Sequence, residues 1–229
     1  MAKIKTDIHE KGLPTRDSLN EKIKLEAKTV FNAATEDDLT SFHSEVEIKH
    51  KIRDELLEIS MTDEMVQALM IKDNVLDEVY RFYRDESKDN QVFLAVFEYL
   101  EKAEHDYLAE RVFDRVKLEY EAYIDEVKQK PVDKIIDEAY KISIMYDIHI
   151  SLEPETSKFS TERLRALHSL DDPLWSLHHE WQRRDLTHMD DIKDVIFDVA
   201  DNQARENAEN EIDPDPFGLD DEAEDGQEP

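Results

Sequence analysis

Apolar positions recur at three- and four-residue steps along most of this chain, the spacing that gathers them on one face of a helix. Leu19, Ile23, Ala27, Val30 and Phe31 make the first such face, opened by the capping-box spacing Ser18-Leu19-Asn20-Glu21. Thr35 and Asp38 cap a second helix by similar logic, with Leu39, Phe42, Val46, Ile52, Leu56 and Ile59 on one side. Thr62 starts a short helix through Met65, Val66 and Leu69, and Asp73-Asn74 starts another through Leu76, Val79 and Tyr83. From Asn90 to Lys130 no Gly or Pro intervenes, and the beat runs from Phe93 and Phe97 through Leu100, Tyr107, Val112, Val116, Tyr120 and Tyr123 to Val127. This is one helix of about 60 Å at ~1.5 Å per residue, or two with an unmarked break.

Pro131 opens the second half, where Ile135, Ile136, Ala139 and Tyr140 are helical. Residues 142–152 admit two readings, because Ile142, Ile144, Tyr146, Ile148, Ile150 and Leu152 also alternate with period two. A strand there lacks a second good strand to pair with, and Pro154 ends the element. Ser160 or Thr161 caps a short helix through Leu164 and Leu167. Asp172-Pro173 is a cap followed by proline at the first helical position, and its helix carries Leu174, Leu177 and Trp181. The last helix carries Met189, Ile192, Val195, Ile196 and Val199 and frays after about Ala208.

Two stretches coincide when laid 98 residues apart. Thr62–Leu69 meets Ser160–Leu167, Asp73–Leu76 meets Asp171–Leu174, and Tyr83 meets Trp181. The expected fold is all-α: a flexible arm over 1–17, a helical module over 18–89, a connecting helix over 90–130, a similar module over 131–208, and a disordered tail over 209–229.

Composition sharpens this picture. The 229 residues hold three glycines, none between Leu13 and Phe217, which argues against hairpins and for helices. Cysteine is absent, which fits a reducing interior, and no apolar run approaches the ~18 residues of a membrane span. The N-terminus has no signal-peptide pattern, so a cytoplasmic setting is expected. The 58 Asp and Glu against 29 Lys and Arg leave a net charge of −29. Glu206 to Pro229 holds eleven of the carboxylates and no Lys or Arg, so the rest of the chain still carries −18. Such charge works against compaction. It reads either as a solvated helical surface or as a face for something strongly basic.

The second half also has Ile135, Ala139-Tyr140, Ala166-Leu167, Pro173-Leu174, Trp181, Arg184-Asp185 and the run Met189 to Ile196. On these residues, over roughly 132–200, it resembles an uncharacterised domain family of bacterial mobile elements and phages, with a diverged second copy over about 36–86. Phe197 and Val199 stand where the family pattern has an acidic residue and an arginine. The resemblance implies a mobile-element setting, in which small acidic accessory proteins often oppose host defence; it brings no activity, fold or ligand.

Candidate chemistry is sparse. His178-His179-Glu180 with His188 is the densest cluster, but it lacks the i, i+4 His pair that puts two metal ligands on one face. No glycine-rich phosphate loop is available, and no nucleophile–base pair stands out. The expectation is a non-enzyme with no catalytic, cofactor or metal site. Direct nucleic-acid or membrane-surface binding is disfavoured by charge sign. The candidate partner-binding residues are Asp191, Asp194, Asp198 and Asp201, which fall within ~80° on the last helix. Like charges so spaced cost ~0.2–0.5 kcal/mol per pair. They point to a basic partner, such as the nucleic-acid groove of a defence nuclease of the restriction or CRISPR kind, occupied by a DNA mimic. The alternative is a helical protein–protein adaptor whose acidity serves solubility.

Overall fold

A computed structural model describes residues 13–34, 44–87, 91–184 and 190–211. Among these the fold is all-α, with ten helices and no strand. They are α1 (Arg16–Ala33), α2 (Glu45–Glu58), α3 (Asp63–Met70), α4 (Val75–Asp85), α5 (Val92–Lys128), α6 (Val132–Asp137), α7 (Ala139–Thr156), α8 (Thr161–Ser169), α9 (Pro173–Arg184) and α10 (Asp190–Glu211).

The caps explain most of the boundaries. Thr62 and Asn74 accept from the third backbone N–H beyond them, at 3.1 Å each, and open α3 and α4. Ser160 does the same for α8, and Pro173 is the first residue of α9. The start of α1 differs from the expectation: Thr15, not Ser18, is the N-cap, and Thr15 and Ser18 form the reciprocal capping box. The helix therefore starts at Arg16, inside the stretch expected to be a flexible arm. Ser44 caps α2, and the candidate cap at Thr35 and Asp38 lies outside the described residues. Residues 142–152 are helical, because Ile144, Met145, Ile148 and Leu152 can be buried together only on a helical face. Pro154 does not stop α7, which runs to Thr156. Proline costs a helix one backbone donor, and this close to the end the helix closes around it. At the C-terminus α10 continues to Glu211, and the expected tail beyond lies outside the described residues.

α5 is one unbroken helix of 37 residues. Its first half is covered by α2, α3 and α4, with α1 against all three. Its remaining length is covered by α7, α8 and α9, with α10 against the same three. One contiguous apolar core runs from Leu19 through Leu108 to Ala200.

The contacts in the two parts correspond. Val66, Ala68 and Leu69 of α3 are buried, and so are Leu164, Ala166 and Leu167 of α8, each 98 positions on. Lys22 Nζ on α1 donates to the carbonyl oxygens of Met70 (3.2 Å) and Lys72 at the end of α3. Arg115 on α5, 93 positions on, donates to the carbonyls of His168 (2.5 Å) and Leu170 (2.6 Å) at the end of α8. One turn further, Glu26 accepts from the Leu76 N–H at 3.0 Å, and Glu119 from the Leu174 N–H at 2.9 Å. The later part of α5 thus does for α8 and α9 what α1 does for α3 and α4. At the waist sits Glu104, 1% exposed. It accepts from the Thr62 hydroxyl (2.9 Å) and from a bidentate Arg165 guanidinium (2.7 and 2.8 Å).

Candidate functional site

The row of aspartates on α10 is the site named by the sequence, and the structure places its members in different settings. The Asp191 side chain lies outside the described residues, and Asp194 is exposed. Asp198 pairs with Arg184 of α9, Nη1 to Oδ2 at 2.7 Å. Asp201 takes a two-pronged contact from Arg163 of α8, with Nη2 to Oδ2 at 2.8 Å. The hydrogen-bonding Arg163 fork holds the Asp201 carboxyl below the usual carboxylate range. Lys193, on another side of α10, reaches Glu155 of α7 at 3.1 Å. Two of the four carboxylates are therefore spent on fastening α10 to α8 and α9. The cations that hold them were missed by sequence reasoning. Arg163 is 38 positions from Asp201, and only tertiary packing brings the two together.

The histidine cluster does not assemble. His178 is buried with its ring against Trp175 at 6.2 Å, edge to face. Burial, with Lys141 nearby, pushes its imidazole down to about 4. His179 faces solvent, Glu180 pairs with Arg183 (3.0 Å) and Arg184 (2.9 Å), and His188 lies outside the described residues. Among the described residues no three His, Asp or Glu side chains come together as a metal would require.

Glu119 is the most perturbed carboxyl, pushed up to about 7 by burial against the pull of the Leu174 N–H. Such a group in a cleft would be a candidate acid or base. Here its role is explained by its counterpart Glu26, which fastens the same helix start in the other half. The pairs Lys22/Glu26 and Arg115/Glu119, each four residues apart, were the legible signal for these fasteners.

Large apolar side chains are left on the surface. Phe93 and Phe97 at the start of α5, expected on a buried face, are 50% and 43% exposed. More extended is a ridge across the α6–α7 junction. Val132, Ile136 and Tyr140 are 73%, 68% and 64% exposed. Glu138, with φ −96° and ψ 0°, separates the two helices: its N–H bonds to the Lys134 carbonyl (3.2 Å) at the end of α6, and its carbonyl accepts from the Ile142 N–H (2.9 Å) at the start of α7. Val132 and Ile136 are one turn apart on α6, and Tyr140 follows four residues on, at the start of α7. Only the Tyr140 ring leans inward, 5.7 Å from Trp181. Charges beside the ridge are balanced: Lys130 pairs with Glu138 (2.8 Å) and Lys134 with Asp137 (3.2 Å).

No helix among the described residues is long and apolar enough to cross a membrane. No family model matches the chain, and no match was found among curated proteins or solved structures.

Proposed function

We propose that this chain is a non-catalytic binding protein, a helical adaptor that docks another protein on the ridge of Val132, Ile136 and Tyr140. The observation that carries the reading is the exposure of three large apolar side chains at four-residue steps across the α6–α7 junction. Contiguous apolar surface of this kind marks sites of association. The balanced charges beside it suit an apolar protein face and offer no excess of cations to a phosphate backbone. The partner in this reading is a protein of the host or of a mobile element, the setting that the resemblance implies.

Replacing Val132 and Ile136 by Asp tests this, since neither side chain supports the core. The double variant is expected to melt like the parent and to lose its partner in pull-downs at low and high salt alike. Retention of the same partner by the variant rejects the ridge.

A second reading is favoured by the net charge of −29. In it the acid surface imitates a nucleic acid and occupies the groove of a basic host protein, a defence nuclease above all. Exposed charges are screened within ~10 Å at 0.1 M salt, so this binding would weaken steeply as salt rises. It would also compete with DNA or RNA. Asn at 191, 194, 198 and 201 would weaken it while leaving the ridge intact. The two readings thus separate by salt dependence and by which variant fails.

A further inference from the structure

Between α1 and α2 lies an open cleft of about 540 Å³. Ala27 and Leu57 form its floor, and Phe31 stacks on His50 at 5.6 Å to form one wall. Its rim carries Lys24, Lys28 and Arg53 against a single carboxylate, Asp54. Lys24 also meets Glu21 at 2.9 Å, and Arg53 meets Asp54 at 2.6 Å. In a chain with twice as many acids as bases, a cleft with three cations to one acid is an inversion.

The other half shows what this cleft looks like when filled. The fasteners align α1 with the later part of α5 at a spacing of 93, so Ala27 corresponds to Tyr120. The buried sets Ile48, Ile52, Leu56 and Ile144, Ile148, Leu152 align α2 with α7 at a spacing of 96, so His50 corresponds to Tyr146 and Arg53 to His149. Tyr120 stacks on His149 at 5.1 Å and meets Tyr146 at 6.1 Å. Phe113 closes the other face of the His149 ring at 5.6 Å. The charge changes too, since Lys28 on the rim is matched by Glu121 and Leu57 on the floor by Glu153, while Lys24 is matched by Lys117. One half packs its groove with its own aromatic rings; the other leaves an aromatic-walled gap at Ala27 with Lys24, Lys28 and Arg53 on its rim.

We infer that the α1–α2 cleft is a docking site for an acidic peptide segment of a partner protein, with an aromatic side chain entering the gap over Ala27 and flanking carboxylates meeting Lys24, Lys28 and Arg53. Charge complementarity selects the acidic segment. The aromatic anchor is selected by the filled counterpart, where a tyrosine ring occupies the matching place. A phosphorylated small molecule fits less well. The cleft is walled by the middles of two helices, whose backbone N–H groups are already bonded within the helix and cannot cradle phosphate.

The test is fluorescence anisotropy on the full chain with a fluorescein-labelled peptide, Asp-Glu-Asp-Phe-Asp-Glu-Asp. Saturable binding is expected, weakened about tenfold by the exposed-site double variant Lys24→Glu/Lys28→Glu. Replacing the peptide's Phe by Ser should weaken binding several-fold. Ala27→Tyr, which fills the gap as Tyr120 fills its counterpart without altering charge, should abolish it. The Val132→Asp/Ile136→Asp variant should bind the peptide normally, because the cleft does not rest on the ridge reading. Absence of binding, or equal binding by the Lys24→Glu/Lys28→Glu variant, overturns the proposal. So does displacement of the peptide by inorganic phosphate or ADP with no dependence on the Phe, which would make the cleft a small-anion site.

Discussion

The first and second halves of this molecule solve the same packing problem with different surfaces. Leu69 and Leu167, Leu76 and Leu174, Lys22 and Arg115, and Glu26 and Glu119 occupy matching places and make matching contacts. Around that shared frame almost everything accessible differs. The first half keeps an open cleft rimmed by Lys24, Lys28 and Arg53 where the second packs Phe113 and Tyr120 on His149 and Tyr146 against Tyr120. The second half has the short helix α6 ahead of its α2 counterpart, and with it the apolar ridge; the matching stretch of the first half lies outside the described residues. The difference teaches that a small set of apolar and fastening positions fixes the bundle. The grooves between its helices then differ in what fills them.

The comparison is broken most directly through the core. Leu69→Ala and Leu167→Ala each delete a fully buried side chain, and each should cost about 2–5 kcal/mol in denaturant unfolding. If the halves are equivalent in packing, the two losses agree to within about 1 kcal/mol. A loss confined to one of them would show that the correspondence is one of outline only.

Removing the caps comes next. Ser160→Ala should cost about 1 kcal/mol, and Thr62→Ala more, because the Thr62 hydroxyl also donates to the buried Glu104 carboxylate. Equal costs would mean that the Thr62–Glu104 bond contributes nothing to stability.

The pH dependence separates the halves in another way, through two groups of the second half. The folded Glu119 carboxyl, at about 7, lies above its ordinary 4.5. Its contribution is full below 4.5 and is lost as pH rises through 7. His178, at about 4, lies below its ordinary 6.5, so its contribution is full above 6.5 and is lost as pH falls through 4. Between pH 7 and 5 the two oppose each other. Glu119→Gln should steepen the loss of stability on acidification, and His178→Gln should flatten it, in melting curves at several pH values. Slopes unchanged by both would reject these protonation states.

The smallest effects concern α10. Mutual repulsion among its aspartates predicts that neutral replacements preserve or raise stability. The ion pair to Arg163 reverses that for one position. Asp201→Asn should cost at most about 1 kcal/mol, and Asp194→Asn should stay within about 0.5 kcal/mol. A stabilised Asp201→Asn would mean that repulsion along the row outweighs the pair.

The helices were legible because their caps and apolar steps are local: Thr62, Asn74, Ser160 and Pro173 announce their own elements. The ambiguity at 142–152 was not local, since alternating isoleucines satisfy both periods until Met145 is seen to be buried. The long helix was read in extent but misjudged in its first turns, where Phe93 and Phe97 keep the beat yet face solvent. The α10 row was legible as a row of charges. That two of its members, Asp198 and Asp201, pair with arginines from other helices is something no spacing along the chain reveals.

Because α5 belongs to both halves, its residue count sets the angle between the ridge and the cleft. One residue inserted between Glu104 and Arg115 would turn everything beyond it by ~100° and shift it by ~1.5 Å. It would part Glu104 from Arg165 and swing the ridge around the helix axis relative to the cleft. The helix works as a spindle with a fixed phase. Partners held at the ridge and at the cleft would face each other at an orientation set by counting residues, with no hinge among the 37 to relax it.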